Sequence, residues 1–216
     1  MDKKYSIELE ISGPTAMWTR PDTGDAPVSY PAPTYSAVKG IFESILWIQS
    51  IEIVPTKVEL CSPVTYHTYT TNYGGPLRKS KLMSNGSSFQ LLASVLINVC
   101  YRLYADLEFN HAAGEKFSEK TKTWTRSIAS PKHAYQEIFN RRLGKGQNHM
   151  LPCLGWREFV PDYLGLFRDK TEVCADINLN IPSMLYQTFS EGLSGKCSPS
   201  FRHDLKIRNG ALSYAE

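Results

Sequence analysis

Two neighbouring residues, Lys132 and His133, have side chains that could act together on a phosphate group. They follow Ser130, which suits a helix N-cap, and Pro131, which suits the first helical position because no backbone N–H is needed there. A helix start attracts anions through its unpaired N–H groups and its dipole. Lysine can neutralise phosphate charge, and imidazole exchanges protons near neutral pH. The spacing predicts an anion site; the alternative is two solvated first-turn residues.

Two helices and the first strand are the elements that must position this site. Residues 5–11 alternate apolar and polar side chains, which predicts a half-buried strand. Thr34 precedes an apolar stripe with a spacing of three or four, which predicts a first helix that ends near Trp47. The second helix is predicted to run from Ser130 to Gly144, because glycine there suits a C-cap.

Three further strands complete the predicted order. Residues 51–60 suggest a second strand interrupted at Pro55, and the long alternation over 95–109 predicts a third. The polar, turn-rich segment 63–88 between them predicts an inserted hairpin or loop. A fourth strand is expected near 156–160. The order β-α-β-β-α-β predicts an α+β, ferredoxin-like domain.

The end of the chain is predicted to be a small addition to this domain. Residues 1–170 would form the ferredoxin-like domain, and residues 171–216 a small C-terminal β extension. A strand is expected in the extension at 173–179, where apolar side chains recur.

Composition bounds the class of protein. The chain has 216 residues, of which 42% are hydrophobic and 21% charged, as expected for a folded protein without a membrane segment. Its five scattered cysteines predict thiols in a reducing, cytoplasmic compartment. Neither they nor the histidines show the spacing of metal ligands, so we expect no metal and no cofactor. A net charge of +3 permits a polyanionic partner without requiring one.

Three blocks of sequence resemble one family. They are PVSYPAPTYSAVKGIFESILW, SPKHAYQEIFNRRLGKGQ and LPCLGWREF, and they occur in the family's order and spacing. Together they resemble the Cas-five proteins of CRISPR systems, in the type I-C branch. The resemblance implies a RAMP-type (RRM-like), ferredoxin-like domain with a small β extension. It also implies an enzyme that cuts repeat RNA beside its stem-loop without metal and then holds the 5′ handle of the guide RNA within Cascade.

The resemblance implies catalytic roles for Lys132 and His133, which match the family's Lys-His pair. The family's catalytic tyrosine lies on the first helix just before a tryptophan, and here that position is Leu46, followed by Trp47. Leucine can neither donate nor accept a proton. The chain therefore departs from the pattern at one of three catalytic positions.

Metal-free RNA cleavage sets three chemical tasks. The 2′-OH must lose its proton, the anionic phosphorane must be stabilised, and the departing 5′-oxygen must gain a proton. We assign the phosphate charge to Lys132 and proton transfer to His133. The third task has no evident owner, and Tyr30 and Tyr35, around the start of the first helix, are candidate phenols.

Several other residues are predicted to bind RNA. Trp18 and Arg20 lie in a polar loop that favours base stacking and phosphate contact, and Lys39 is either plain surface or a phosphate contact. The basic, glycine-containing end of the second helix suits RNA phosphates, although it could instead be a solvated helix end that complements the dipole. Its predicted RNA-binding residues are Arg141, Arg142, Gly144, Lys145, Gly146 and Gln147.

Two functions therefore stay open. The first is a metal-independent endoribonuclease that matures guide RNA; the second is a non-catalytic subunit that caps the 5′ handle, which Leu46 would suit. An unrelated RNA-recognition module is less well supported, because no aromatic pair marks a central strand. The expected partners are guide RNA, its repeat-hairpin precursor, and the backbone and large subunits of Cascade. Target DNA would be met only indirectly, and no membrane is expected.

Overall fold

The structure is a computed structural model that describes residues 4–24, 26–72, 90–110, 117–188 and 197–214. Within these ranges the chain forms eight strands and three helices. The strands are β1 (Ser6–Ala16), β2 (Ile51–Leu60), β3 (Tyr66–Asn72), β4 (Gln90–Phe109), β5 (Tyr163–Gly165), β6 (Leu179–Gln187), β7 (Ser200–Arg208) and β8 (Ala211–Ser213). The helices are α1 (Tyr35–Ile45), α2 (Glu119–Ser127) and α3 (Pro131–Gly144). None of these helices is long and apolar enough to cross a bilayer.

The strands form an antiparallel sheet whose neighbours run in the order β5-β1-β4-β2-β8-β7-β6. The pairing of β1 with β4 extends from Ser6 opposite Asp106 to Ala16 opposite Leu96. β3 pairs with the first part of β4, where the sequence predicts an inserted hairpin, and residues 73–89 between them lie outside the described residues. Burial alternates along most of β4 and over the first residues of β1, as the sequence predicts, whereas residues 9–13 of β1 are buried on both faces of the strand.

Helix α1 begins where the sequence predicts. The hydroxyl of Thr34 accepts a hydrogen bond of 3.2 Å from the backbone N–H of Ala37, which caps the helix. The helix ends at Ile45, slightly before the predicted end near Trp47. Its apolar stripe is buried, and Phe42 lies 5.8 Å from Phe139 of α3 between ring centroids. The two helices therefore pack against each other in the same core.

Two strand predictions need correction. The fourth strand lies at Tyr163–Gly165 and not at 156–160, where the chain forms turns. In the C-terminal region, 173–179 is mostly irregular, and the extended segments are β6, β7 and β8. The second strand lies where predicted, but it is not interrupted at Pro55: β2 continues through this residue, and its pairing with β4 only shifts register between Pro55 and Lys57.

Helix α2 was not expected from the sequence. Its residues, EKTKTWTRS, include no buried side chain, so the segment lacks the apolar stripe that predicts a helix. Ser118 caps the helix by accepting a hydrogen bond of 3.2 Å from the N–H of Thr121. Local capping, and not burial, marks this helix in the sequence.

The C-terminal strands continue the sheet. β8 pairs with β2, and β7 joins β8 to the edge strand β6. The ring of Tyr186 in β6 stacks on Tyr35 at 4.1 Å, and the hydroxyl of Tyr214 donates to the carbonyl of Pro33 at 2.5 Å. The C-terminal region is thus packed on the start of α1, and the domain boundary at residue 171 stays a prediction.

A buried carboxylate ties the segment after β5 to the sheet. Glu10 in β1 is 0% exposed and accepts hydrogen bonds from the Nε of Arg168 at 2.5 Å and the hydroxyl of Thr171 at 2.8 Å. The backbone N–H of Arg168 adds a bond of 3.0 Å, and the Nε of Arg102 lies 3.5 Å away. These contacts fix residues 168–171 against the face of β1 and β4.

Candidate active site at the start of helix α3

Ser130 and Pro131 begin helix α3 as predicted, but the capping bond differs. Ser130 has an extended backbone (φ −136°, ψ 92°), and its carbonyl accepts the N–H of Ala134 at 3.0 Å. Its side chain forms no capping hydrogen bond; the hydroxyl donates instead to the hydroxyl of Tyr5 at 3.4 Å. The serine therefore does not occupy the first N–H groups of the helix, which are the groups that an anion would use.

Lys132 and His133 lie side by side in the first turn and differ in exposure. Lys132 is half-buried, whereas the side chain of His133 is 53% exposed. The Nε2 of His133 lies 3.8 Å from a carboxylate oxygen of Glu137, one turn further along the helix. An imidazole in this position is accessible to a ligand, and the carboxylate can help to orient it.

Tyr5 is a residue of this site that the sequence did not reveal. Its ring lies 5.7 Å from the His133 ring between centroids, at an angle of 51°. Nearby, the amide of Gln136 donates to the carbonyl of Ser6 at 2.6 Å, so the start of β1 lies along the first turns of α3. The predicted topology carries a signal for this contact. β1 pairs antiparallel with the strand that follows α3, and a helix that leads back into a strand of the same sheet also runs opposite to that strand. β1 and α3 therefore begin at the same end of the sheet.

Position 46 contacts the same helix through its backbone. The buried hydroxyl of Tyr135 donates a hydrogen bond to the carbonyl of Leu46. Lys132 precedes Tyr135 by three residues and therefore lies on the same face of the helix. Lys132 and the Leu46 backbone therefore both lie on the Tyr135 side of the helix, whereas His133, two residues before Tyr135, lies on a different side, against Tyr5. The Leu46 side chain is 6% exposed and belongs to the core.

Neither candidate phenol near the first helix contacts this site. Tyr30 is 2% exposed, and its hydroxyl accepts the backbone N–H of Leu185 at 3.1 Å. Tyr35 is 6% exposed and stacks on Tyr186. Burial raises the pKa of both phenols. Both side chains are committed to packing against β6, which leaves Tyr5 as the tyrosine seen in contact with His133.

The basic end of α3 forms a Schellman motif. The N–H of Gly146 donates to the carbonyl of Leu143 at 3.2 Å, and the N–H of Gln147 to that of Arg142 at 2.9 Å. Gly146 has a φ of +64°, so it is the left-handed residue that ends the helix. The predicted cap at Gly144 is therefore displaced, since Gly144 is the last helical residue and Lys145 is the C-cap.

This end presents its cations unequally. Arg141 and Lys145 are exposed, as are Gly144, Gly146 and Gln147. Arg142 is half-buried, and its Nη1 donates to the carbonyl of Ile45 at 2.8 Å, which ties the ends of α1 and α3 together. From His133 to Lys145 the helix rises about 18 Å at roughly 1.5 Å per residue. The structure thus places the two predicted clusters at opposite ends of one helix.

The other three residues predicted to bind RNA, Trp18, Arg20 and Lys39, have partners outside both clusters. The prediction that Trp18 stacks on bases is wrong, because its ring is 2% exposed and its indole N–H donates to the Tyr101 hydroxyl at 3.2 Å. Arg20 pairs with Asp22 at 2.7 Å and keeps 39% of its side chain exposed. Lys39 pairs with Glu52 at 3.2 Å and is 28% exposed.

No metal centre is apparent among the residues that the structure describes. Within these ranges, no group of three or more His, Cys, Asp or Glu side chains could hold a metal ion. The groups that the structure shows at the start of α3 are the imidazole of His133, the ammonium group of Lys132, the phenol of Tyr5 and the helix N-terminus.

Comparison with known proteins agrees with the sequence resemblance. The family model described as CRISPR-associated protein (Cas_Cas5) matches residues 6–189. A protein of Mannheimia succiniciproducens named CRISPR pre-crRNA endoribonuclease Cas5d is 29% identical, over 97% of this chain and 96% of its own length. A protein of the same name from Thermus thermophilus is 28% identical, over 83% of this chain and 72% of its own length.

A solved structure shares the fold. It is described as the crystal structure of a CRISPR-associated protein, and it aligns with a TM-score of 0.69 over 99% of this chain and 94% of that chain. Its identity of 19% makes it a match of fold alone. Because the family model extends from the start of β1 past the end of β6, the chain belongs to the Cas5 family of CRISPR-associated proteins.

Proposed function

We propose that this protein is the guide-RNA-processing subunit of a type I-C CRISPR system, an endoribonuclease that cuts the repeat hairpin of precursor guide RNA. The observation that carries the proposal is the first turn of α3, where Lys132 and His133 lie together at a helix start in a chain of the Cas5 family. Two relatives that align over most of this chain are named pre-crRNA endoribonucleases.

The proposed reaction needs no metal. The helix start and Lys132 stabilise the charge of the phosphorane, and His133 takes the proton of the attacking 2′-OH. The exposure of His133 suits a group that must reach bound RNA. The products are a 2′,3′-cyclic phosphate and a 5′-hydroxyl.

The binding surface is proposed to follow α3. Arg141, Lys145 and the exposed glycines at its end would contact RNA phosphates, since charge and close backbone approach both favour this. Arg20 and Lys39 are weaker candidates because each is already paired with a carboxylate. After cleavage the protein would keep the 5′ handle and contact the backbone and large subunits of Cascade in the cytoplasm.

We infer a ferredoxin-like core for this surface. The inference is supported by the strand order β5-β1-β4-β2, with α1 in the connection from β1 to β2 and α3 in the connection from β4 to β5. In such a core, both helices lie on one face of the sheet. Residues 171–216 would then be the β extension that lengthens the sheet beyond β2.

A second function has one observation in its favour. Leu46 stands at the family's tyrosine position and is buried, so no side chain at that position can transfer a proton. A subunit that caps the 5′ handle without cutting would tolerate this. Both functions require RNA binding, and only one requires cleavage.

The deciding experiment incubates the purified protein with its repeat hairpin RNA in excess chelator and follows cleavage and binding together. We expect one cut that leaves a 2′,3′-cyclic phosphate. His133→Ala should slow it by about a hundredfold or more, the usual contribution of general acid–base catalysis, with binding retained. Lys132→Ala should slow it as well.

The matched controls are Lys120→Ala and His203→Ala, which remove an exposed lysine and an exposed histidine elsewhere on the chain. Both should cut at the wild-type rate. Tight binding with no cutting by the wild-type protein would favour the capping subunit. Neither binding nor cutting would overturn both functions.

A further inference from the structure

We propose that Tyr5 is the third catalytic residue of this site and gives its phenolic proton to the departing 5′-oxygen of the RNA. The inference rests on the proposed function and extends it. It assigns the chemical task that has no evident owner in the sequence, protonation of the departing oxygen, and it does so from the contacts at the start of α3.

The first argument is position. The Tyr5 ring lies 5.7 Å from the ring of His133, and the Tyr5 hydroxyl accepts a hydrogen bond of 3.4 Å from the Ser130 hydroxyl. The oxygen of Tyr5 is therefore held beside the residue before the helix, where the first N–H groups of α3 would meet a phosphate. A phosphate bound there would have the imidazole and the phenol as neighbours.

The second argument is chemistry. A phenol keeps its proton at neutral pH and is a far better proton donor than a serine hydroxyl such as that of Ser130. Tyr5 is half-buried, so its ring is supported while part of it faces solvent. Tyr30, Tyr35 and Tyr135 are buried in other contacts, and the side chain of Leu46 carries no proton to give.

The third argument is the proton balance. His133 removes the proton of the 2′-OH, and the O2′ electron pair forms the new bond to phosphorus. The P–O5′ bond breaks, its electron pair stays on O5′, and the proton of Tyr5 neutralises that oxygen. His133 is then an imidazolium and Tyr5 a phenolate. Because their rings are in contact, one proton can pass from the His133 imidazolium to the Tyr5 phenolate, directly or through water, and this returns both side chains to their neutral forms.

The test compares two RNA substrates in wild-type protein and in Tyr5→Phe. One substrate is the ordinary repeat hairpin, and the other carries sulfur in place of the 5′-oxygen at the cleaved bond. A thiolate is a far weaker base than an alkoxide and leaves without a proton. Phenylalanine keeps the ring that packs on His133 and removes only the hydroxyl.

We expect Tyr5→Phe to cut ordinary RNA at least about a hundredfold more slowly than the wild-type protein does. It should cut the sulfur-substituted RNA at nearly the wild-type rate. RNA binding should not change. His133→Ala should be slow on both substrates, because both still need the 2′-OH proton removed. Tyr66→Phe, which removes a hydroxyl from an exposed tyrosine in β3, should match the wild-type protein on both.

Two results would overturn the role of Tyr5 alone, given an active wild-type protein. One is an unchanged rate of Tyr5→Phe on ordinary RNA. The other is an equal loss on both substrates, which would make the hydroxyl a structural group. A wild-type protein that binds both RNAs and cuts neither would overturn the proposed cleavage itself, and the role of Tyr5 with it.

Discussion

Position 46 takes part in the candidate site through its backbone, while its side chain belongs to the core. The Leu46 N–H donates to the carbonyl of Phe42 at 3.4 Å, and the Leu46 carbonyl accepts the hydroxyl of Tyr135. Burial raises the pKa of the Tyr135 phenol, which keeps that hydroxyl a neutral donor. The residue after it, Trp47, is 45% exposed. The chain therefore emerges from the core only after position 46.

This placement predicts the result of restoring the family's tyrosine. Leu46→Tyr should not raise the cleavage rate, because its side chain would enter a packed region instead of the RNA surface. Extra volume in a well-packed core typically costs about 1–3 kcal/mol, so the variant should also unfold at lower denaturant concentration. Single-turnover cleavage and urea unfolding measure the two effects.

Leu46→Met is the matched control, since it conserves volume and should change stability little. A Leu46→Tyr protein that cuts many times faster than the wild type would contradict this interpretation. It would mean that the side chain at position 46 can turn outward and reach the RNA.

At the scale of the elements, Glu10 joins the centre of β1 to the segment that follows β5. Burial alone would raise the pKa of Glu10, but the hydrogen bonds from Arg168 and Thr171 outweigh it, so the pKa lies below its usual value of 4.5. The folded state thus stabilises the charged carboxylate of Glu10 relative to its protonated form. Its contribution to stability is fully present above the usual pKa and is lost as pH falls through the lower, folded value.

Glu10→Gln should lower the free energy of unfolding near pH 7 by about 1–3 kcal/mol, because it loses hydrogen bonds to charged groups. Below a pH of about 4.5 the difference between the two proteins should shrink as the wild-type carboxylate gains its proton. Urea unfolding at several pH values measures this. Glu172→Gln, at an exposed position near the same segment, should shift stability by less than about 0.5 kcal/mol.

A constant difference between wild-type and Glu10→Gln protein down to pH 3 would contradict the electrostatic account. It would show that glutamine at position 10 lowers the free energy of unfolding because of its shape, and not because it lacks the charge. In that event, the bonds to Arg168 and Thr171 would not be what lowers the pKa of Glu10.

Local signals predicted the elements around the site better than its contacts. Thr34 and Pro131 mark helix starts because capping depends on a few adjacent residues. The hydrogen bond from Ser130 to Tyr5 joins residues 125 positions apart, and the hydrogen bond from the buried Trp18 indole to Tyr101 joins residues 83 apart. Neither could be read from composition or spacing, since both depend on how the sheet brings distant segments together.

The elements that the sequence missed have weak patterns for physical reasons. β5 is three residues long, too short for an alternation to be recognised. α2 buries none of its side chains, so it has no apolar period. The start and the basic end of α3 were predicted because each is a property of one continuous segment.

At the scale of the whole molecule, the net charge of +3 is too small to attract RNA by itself. RNA binding must then depend on where the cations lie. The end of α3 exposes Arg141 and Lys145, while Arg142 also holds the end of α1. If this end binds phosphates, it holds one part of the RNA about 18 Å along the helix from the cleaved bond, at roughly 1.5 Å per residue. Affinity and cleavage should then be separable.

The double variant Arg141→Ala, Lys145→Ala should weaken RNA binding and leave the rate at saturating RNA unchanged. Each phosphate contact to single-stranded nucleic acid contributes about 0.7 to the slope of log K against log salt, so losing two should reduce the slope by about 1.4. Binding measured across a range of salt concentrations gives this slope. Lys120→Ala, Lys170→Ala removes the same charge from exposed positions elsewhere and should keep the wild-type slope. Equal slopes for all three proteins would mean that Arg141 and Lys145 only complement the helix dipole.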